Sequence, residues 1–293
     1  MSKTKIRKLL KKNLNKIKKA RIMCIGDMIL DQYIYGNVER ISPEAPIPIL
    51  LVDDEKLEIG GVGNVARNIV SMGANVTLIS LSGKDRGSQQ VNRLLFKEKT
   101  IKNASITHTN FYVPIKTRYI NNSAHMVRID KENKNFKINK IVRQKILKVI
   151  KKNINDCDII ILSDYNKGML DRITLREIIK ISRKSKKTIF VDPKKNDLEV
   201  YAGANLITPN LNELKNYSLK QLVTERDIIH CCSNLINQCF FEEILLTRSE
   251  KGLTLINDKL SKNFSAVAKK VYDVTGAGDT IIAIMALMKA IGF

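Results

Sequence analysis

Apolar residues fall along this chain in two rhythms. From about residue 138 onward, segments with an apolar position every third or fourth residue alternate with short, wholly apolar runs that end on polar tips. The first rhythm predicts helices and the second predicts buried strands. Helix 138–153 precedes the strand Asp158–Leu162, tipped by Ser163-Asp164-Tyr165. Helix 172–183 precedes Thr188–Val191, tipped by Asp192-Pro193-Lys194; Asn205–Ile207 ends in Thr208-Pro209-Asn210. Helix 224–239 then leads into Glu243–Leu246, with Thr247-Arg248-Ser249 beyond it. Such alternation predicts an α/β three-layer sandwich: a mostly parallel central sheet with helices on both faces. Ligands collect at the carboxyl ends of parallel strands, so the four successive polar tips predict a site along one sheet edge.

The N-terminal half adds a second layer of pattern. Arg21–Ile25 reads as a buried strand ending at Gly26-Asp27, which makes Asp27 a candidate for binding substrate hydroxyls and Asp31 a weaker one. A turn-forming Asp after Gly is an equal alternative. Between Tyr33 and Glu58, short alternating segments are broken by Pro43, Pro46 and Pro48, which excludes a central strand or helix there. Thr117–Asp130 alternates in TRYIN and HMVRID. The two pieces together predict a small β-sheet lid over about 33–58 and 113–130. Gly60-Gly61-Val62-Gly63-Asn64 opens a helix ending near Met72-Gly73, where Asn64 caps the helix or offers its amide to a hydroxyl. A strand at Val76–Leu81 and a helix around 87–97 follow.

Composition narrows the function classes. No apolar run reaches the roughly 18 residues of a membrane span, and the N-terminus has charge without the apolar stretch of a secretory signal. The net charge of +22 rests mainly on lysines scattered along the chain. Residues 1–21 form the one basic cluster, with ten Lys or Arg, no acid, and Ile6, Leu9, Leu10, Leu14 and Ile17 at helical spacing. That pattern predicts an amphipathic helix over 1–20 capping a domain at 21–293; binding of RNA or acidic membrane, or an organellar presequence, is the alternative. The absence of an RNA-binding signature or interleaved aromatics speaks against nucleic acid. Five cysteines without a CxxC pair predict a reducing, cytoplasmic setting, and three scattered histidines give no metal-ligand spacing.

The most specific stretch is DVTGAGDT, Asp273–Thr280, which runs into an apolar segment. A Gly-Ala-Gly turn opening a helix presents backbone N–H groups with no carbonyl partners, a seat for an anion. Asp279 stands one residue later, placed to meet the group that attacks a phosphate. The bland alternative is a tight turn followed by an Asp that answers the helix dipole.

Taken together, GDMILD (Gly26–Asp31), GGVGNVARN (Gly60–Asn68), LSDYNKG (Leu162–Gly168), VDPK (Val191–Lys194), TPNLNE (Thr208–Glu213), TRSEKG (Thr247–Gly252) and DVTGAGDT resemble the ribokinase-like, or PfkB, family of sugar kinases. ERISPEAPIPIL (Glu39–Leu50) and KTRYI (Lys116–Ile120) bring the resemblance nearest to D-glycero-β-D-manno-heptose 7-phosphate kinases, the kinase half of a bifunctional heptose kinase and adenylyltransferase. The resemblance runs in order from about Arg21. It implies a ribokinase-like fold, ATP and Mg2+ as cofactors, and transfer of a phosphoryl group to the C1 hydroxyl of heptose 7-phosphate. The product is a 1,7-bisphosphate on the way to ADP-heptose and lipopolysaccharide core. In that reading Asp279 is the catalytic base, and Gly276, Ala277 and Gly278 form the anion hole. Asn210, Leu211, Asn212 and Glu213 serve ATP and its magnesium, Glu213 through water, while Thr247, Ser249 and Gly252 begin the nucleotide edge. Asp27, Gly60, Gly61 and Asn64 hold sugar hydroxyls, Arg118, Arg128 and Lys194 are candidates for the distal phosphate, and the lid builds a homodimer. The same resemblance implies further helices after Phe293 to finish the adenine pocket, and the expected domain plan is a C-terminally short kinase domain without the adenylyltransferase half. A kinase of another sugar phosphate, or a non-catalytic sugar- or nucleic-acid-binding relative, are the competing expectations.

Overall fold

The computed structural model describes residues 3–122, 124–218, 221–266 and 276–293, with the backbone alone at 3–6 and 8–10. The wholly apolar runs become the middle of a sheet. β1 (Arg21–Gly26) pairs in parallel with β4 (Asn75–Ile79) on one side and β10 (Ile159–Ser163) on the other. The parallel sheet continues through β11 (Thr188–Asp192), β12 (Leu206–Ile207) and β13 (Glu243–Thr247), and on its other side β4 pairs with β6 (Ile101–Asn103). An antiparallel hairpin, β14 (Leu253–Asn257) and β15 (Ser261–Phe264), closes the far edge. Ile22–Ile25, Ile159–Leu162 and Ile189–Val191 are all buried. Continuous burial is what a parallel strand covered on both faces requires, and it is why these runs do not alternate.

The helices fit between strands as the periodicity predicts. α1 (Lys3–Lys19) buries Ile17 and Asn13 and leaves Leu14 exposed. α2 (Val62–Ser71), α3 (Arg86–Phe96), α4 (Lys140–Asn153), α5 (Arg172–Lys184), α7 (Glu225–Cys239) and α8 (Ala277–Ala290) lie close to the expected bounds. Their starts carry the chemistry that stops a strand from continuing. Asp85, Asn139 and Asp171 each accept a first-turn N–H, and Thr224 and Asp227 form a reciprocal capping box. One helix was hidden inside a strand tip, α6 (Leu211–Ser218), which is too short for its period to stand out. The two-stranded β5 (Leu81–Ser82) and β7 (Ile106–Thr107) were equally silent.

The lid is a four-stranded sheet in the order β3-β2-β8-β9. Here the expectation of short, proline-broken strands is corrected. β2 (Met28–Ile41) and β3 (Pro48–Gly61) are 14-residue strands paired antiparallel almost throughout, and β8 (Ile115–Asn121) and β9 (Ala124–Lys131) extend the sheet. Pro43 and Pro46 lie in the connecting turn, and Pro48 opens the edge strand β3. A proline in those places forfeits no inner ladder bond, so it bounds the strands instead of breaking them. At its root β3 passes directly into α2.

Candidate active site

Asp273, Val274 and Thr275 of the glycine-rich motif lie outside the described residues, so the site is built from Gly276 onward. Gly276 takes φ 75°, and a Cβ there would come within 2.6 Å of Asn64 Nδ2. A side chain is excluded twice over, by conformation and by space. The first intrahelical bond of α8 runs from Thr280 N–H to Gly276 O at 3.0 Å. Among the described residues the N–H groups of Ala277, Gly278 and Asp279 have no helical partner, as the first-turn donors of a helix do not. A Cβ on Gly278 would meet nothing within 4 Å among the described residues.

Asp279 is 4% exposed. Its Oδ2 accepts from Asn64 Nδ2 at 2.7 Å, and its Oδ1 accepts from the Tyr165 hydroxyl at 2.8 Å. Burial raises its pKa; the two hydrogen bonds and Lys116 pull the other way, and the Asp31 charge adds to the rise. Each carboxylate oxygen keeps a second lone pair for an incoming hydroxyl. Asn64 does not cap its own helix: the N-cap of α2 is Gly61, with no side-chain cap bond. Its amide crosses to α8 instead, and Asn68 makes a second link to Thr280 Oγ1 at 3.2 Å.

The loop that delivers Tyr165 is held from beneath by Asp27, which is 2% exposed. Asp27 Oδ2 accepts from the backbone N–H groups of Tyr165 (3.0 Å) and Lys167 (2.9 Å), and Oδ1 from Met169 (3.1 Å). Burial and the neighbouring Asp164 charge raise its pKa to about 6, against the pull of those three amides. Three of the carboxylate's four lone-pair positions are thus taken by the chain itself. Gly61, at φ 61°, lets the backbone pass Asp27 O, which a Cβ would approach to 2.3 Å, and Gly60 leaves equivalent room for the Asp31 carboxylate.

Two cavities share Tyr165 as a wall. One, of about 730 Å3, follows the strand tips: Asp192, Thr208, Asn210, Glu213, Thr247, Ser249 and Gly252 line it, together with Ala277 and Gly278. Apolar wall is supplied by Leu253, Phe264 and Ile281. Asn210 and Glu213 bond each other reciprocally across the start of α6, each backbone N–H to the other's side chain at 2.9 Å. Leu211 packs on the core and Asn212 is exposed; neither lines the cavity. Burial holds the Asp192 carboxyl well above the ordinary range, with the charges of Asp279 and Glu213 adding to the effect. The second cavity, of about 830 Å3, lies toward the lid root and includes Tyr112, Phe136, Lys167 and Lys195 in its lining. Tyr165 and Lys194 wall both.

The three cations expected to meet a distal phosphate all have carboxylate partners. Arg118 Nη1 pairs with Asp31 Oδ1 at 2.6 Å and lies over the Tyr33 ring, Arg128 pairs with Asp130 at 2.9 Å, and Lys194 with Glu213 at 3.1 Å. Tyr165 and Asp192 were visible in the sequence only as members of polar strand tips. Position at a tip is the signal they gave, and it does not say which tip residue turns inward.

A family model described as pfkB family carbohydrate kinase matches residues 19–289. The bifunctional protein HldE of Paramagnetospirillum magneticum is 35% identical over 280 residues, covering 95% of this chain and 57% of that protein. The chain thus spans little more than half the length of the bifunctional relatives it matches. The D-beta-D-heptose 7-phosphate kinase of Bordetella bronchiseptica is 35% identical over 277 residues, covering 94% of this chain and 86% of the relative. Among solved structures, the tetrameric inhibited form of phosphofructokinase-2 from Escherichia coli superposes with a TM-score of 0.76 at 18% identity, over 92% of this chain and 88% of that one.

Proposed function

The chain belongs to the pfkB family of carbohydrate kinases, and from that premise we propose that it phosphorylates the C1 hydroxyl of D-glycero-β-D-manno-heptose 7-phosphate with ATP. The observation that carries the reading is Asp279 itself. A buried carboxylate in the first turn of α8 is gripped by Asn64 and by Tyr165, and Tyr165 walls both cavities.

Phosphoryl transfer asks the protein for alignment, charge neutralisation and a proton acceptor. Asp279 takes the C1 hydroxyl proton on a free lone pair as the new O–P bond forms. The bond from the γ-phosphorus to its bridging oxygen breaks, and ADP leaves with that electron pair. The N–H groups of Ala277, Gly278 and Asp279 face the charge on the transferred group, aided by the positive end of α8. Asn64 and Tyr165 fix the carboxylate's orientation. Thr247, Ser249 and Gly252, with Asn210 across from them, hold the nucleotide in the 730 Å3 cavity. The sugar lies between Asp279 and the inner face of the lid, near Gly60 and Gly61, and Asp27 acts by holding the Tyr165 loop.

The donor set suits a magnesium ion carried in with the nucleotide. Among the described residues no three His, Cys, Asp or Glu side chains form a ready cage. Asp192 and Glu213 nevertheless line the nucleotide cavity, and loss of water, with the Asp279 and Glu213 charges beside it, raises the pKa of the Asp192 carboxyl. A hard cation that keeps most of its water would neutralise that cluster through one or two carboxylates. The chemistry it supplies is charge neutralisation on the phosphates.

We further infer self-association through the lid. Val127 and Ile129 stand on its outer face, opposite Tyr119 and Thr117, and both are more than half exposed. No helix among the described residues is long and apolar enough to cross a membrane.

An ADP-release assay over a panel of sugar phosphates tests the activity. Turnover highest with the heptose 7-phosphate supports the reading; a hexose or pentose phosphate turned over better would transfer the activity to that sugar.

A further inference from the structure

Two loops leave neighbouring strands of the sheet, one after β10 and one after β11. Asp164 N–H donates to Asp192 O at 3.0 Å, so the two chains are still joined where the loops begin. The first loop carries Tyr165 to Asp279, and its backbone is an unfavourable one: Asn166 takes φ 56° and Gly168 φ 103°. Backbone in the left-handed region persists only where surrounding contacts over-determine it. Asp27 supplies part of that hold through the N–H groups of Tyr165, Lys167 and Met169. A second buried carboxylate takes the amide between the first two of these, since Asp164 Oδ1 accepts from Asn166 N–H at 2.7 Å.

The other oxygen of Asp164 is held by the second loop. Its Oδ2 accepts from the Tyr201 hydroxyl at 2.7 Å and pairs with Lys195 Nζ at 2.8 Å. Tyr201 is wholly buried at the end of a short turn, Leu198–Tyr201, and its oxygen accepts in return from the N–H groups of Lys194 (3.3 Å) and Lys195 (3.4 Å). Lys195 Nζ also donates to Asn166 Oδ1 at 3.2 Å, so one ammonium binds the residues on both sides of Tyr165. Asp164 is near enough to Asp27 for its charge to add to the rise that burial causes in the Asp27 pKa. Two buried carboxylates that close are costly without a counter-charge, and Lys195 supplies one to Asp164.

We propose that Lys195 and Tyr201 are positioning residues for phosphoryl transfer: by gripping Asp164 they fix the loop that aims the Tyr165 hydroxyl at Asp279. The inference deepens the kinase reading and rests on it. Both act through Asp164 and Asn166, one residue to either side of Tyr165, and the base feels them through a single hydrogen bond of 2.8 Å. Without the grip, Asn166 relaxes toward commoner backbone and swings the neighbouring ring with it. A displacement of about 1 Å takes such a contact out of hydrogen-bond range. Lys194, one residue earlier on the second loop, lines the nucleotide cavity and pairs with Glu213 at 3.1 Å, which makes the ATP site the competing destination for any effect.

The test compares Lys195→Met, Tyr201→Phe and Tyr165→Phe with the natural protein, together with the double variants that join Tyr165→Phe to each of the first two. ATP and the sugar phosphate turned over best are the substrates. Thermal unfolding first establishes that each variant folds; Tyr201→Phe alters no charge, and it decides the matter if Lys195→Met does not fold. Tyr165→Phe should lower kcat about 10- to 100-fold, the worth of a hydrogen bond to a charged group. Lys195→Met and Tyr201→Phe should each lower kcat about 10-fold, with both KM values held within about twofold. Added to Tyr165→Phe, neither should cost anything further, because residues acting through one bond are not additive. Losses that multiply in the double variants overturn the proposal, and so does an unchanged kcat. A rise in KM for ATP larger than the fall in kcat also overturns it, giving the loop to the nucleotide cavity through Lys194. If the natural protein turns over no sugar phosphate, the kinase reading falls separately. The grip is then judged by amide hydrogen exchange over 165–169: faster exchange in Tyr201→Phe than in the natural protein supports it, and equal exchange overturns it.

Discussion

Replacing Asp279 by Asn separates what this carboxylate does for chemistry from what it does to stability. The amide has nearly the same shape and keeps an oxygen that can accept from Asn64 or from Tyr165, but it cannot take a proton at neutral pH. Loss of a positioned base costs about 10^2- to 10^4-fold in kcat, or roughly 3–5.5 kcal/mol of barrier. Stability should move the other way. Burial raises the pKa of Asp279 in the folded chain, so the folded state binds this proton more tightly than the unfolded one. The stability conferred is whole below an unfolded carboxylate value of about 3.9 and is lost as pH rises through the folded value. At neutral pH the ionised group is therefore a net cost to the fold. Removing such a functional liability commonly stabilises by about 0.5–2 kcal/mol, or a few degrees in Tm for a chain of this size. Thermal unfolding of both proteins from pH 4 to 8, alongside ADP release, gives the readout. The variant should melt higher at pH 8, the gap closing toward pH 4. A variant that keeps more than a tenth of kcat would refute the base assignment, and one that melts lower at every pH would refute the electrostatic account.

The turn over Asp279 yields a paired expectation. Gly278→Ala meets no neighbour within 4 Å among the described residues and gains helix propensity worth up to about 1 kcal/mol, so Tm should hold or rise while the new methyl fills phosphoryl space and kcat falls about 10^2-fold. Gly276→Ala, at φ 75° and against Asn64, should lower both Tm and kcat, by about 1–2 kcal/mol in stability. Asp27→Ala strands three buried amides and should cost about 3 kcal/mol or more in denaturant unfolding; a loss under 1 kcal/mol would show that water replaces the carboxylate. Val127→Asp should reduce the mass seen by sedimentation to that of one chain without changing the unfolding midpoint of the monomer; a natural protein that is already monomeric would end the lid-association idea.

The parts of the fold that were legible are those where one local rule decides. Ile22–Ile25 and Ile159–Leu162 are too short and too apolar to be anything but buried strands between helices, and the observed bounds differ by a residue. β5, β6, β7 and the β14–β15 hairpin were not foreseen, because two to five residues carry no period and their pairing is set by distant partners. The site divides in the same way. Asp279, Gly276 and Gly278 belong to one local turn and could be read as such. Asp27 could be marked only as a polar tip, since the amides it holds come 138 to 142 residues later.

The unbroken passage of β3 through Gly61 into α2 also bears on how this chain can change. One residue added between 48 and 60 would turn every later side chain of the ribbon over to the opposite face, carrying that exchange toward the helix whose Asn64 grips Asp279. Extra residues in the turn at 42–47 would shift nothing. Length polymorphism should therefore accumulate at the far end of the hairpin and be purged near its hinge, and a library seeking new acceptors has its natural splice point at the turn.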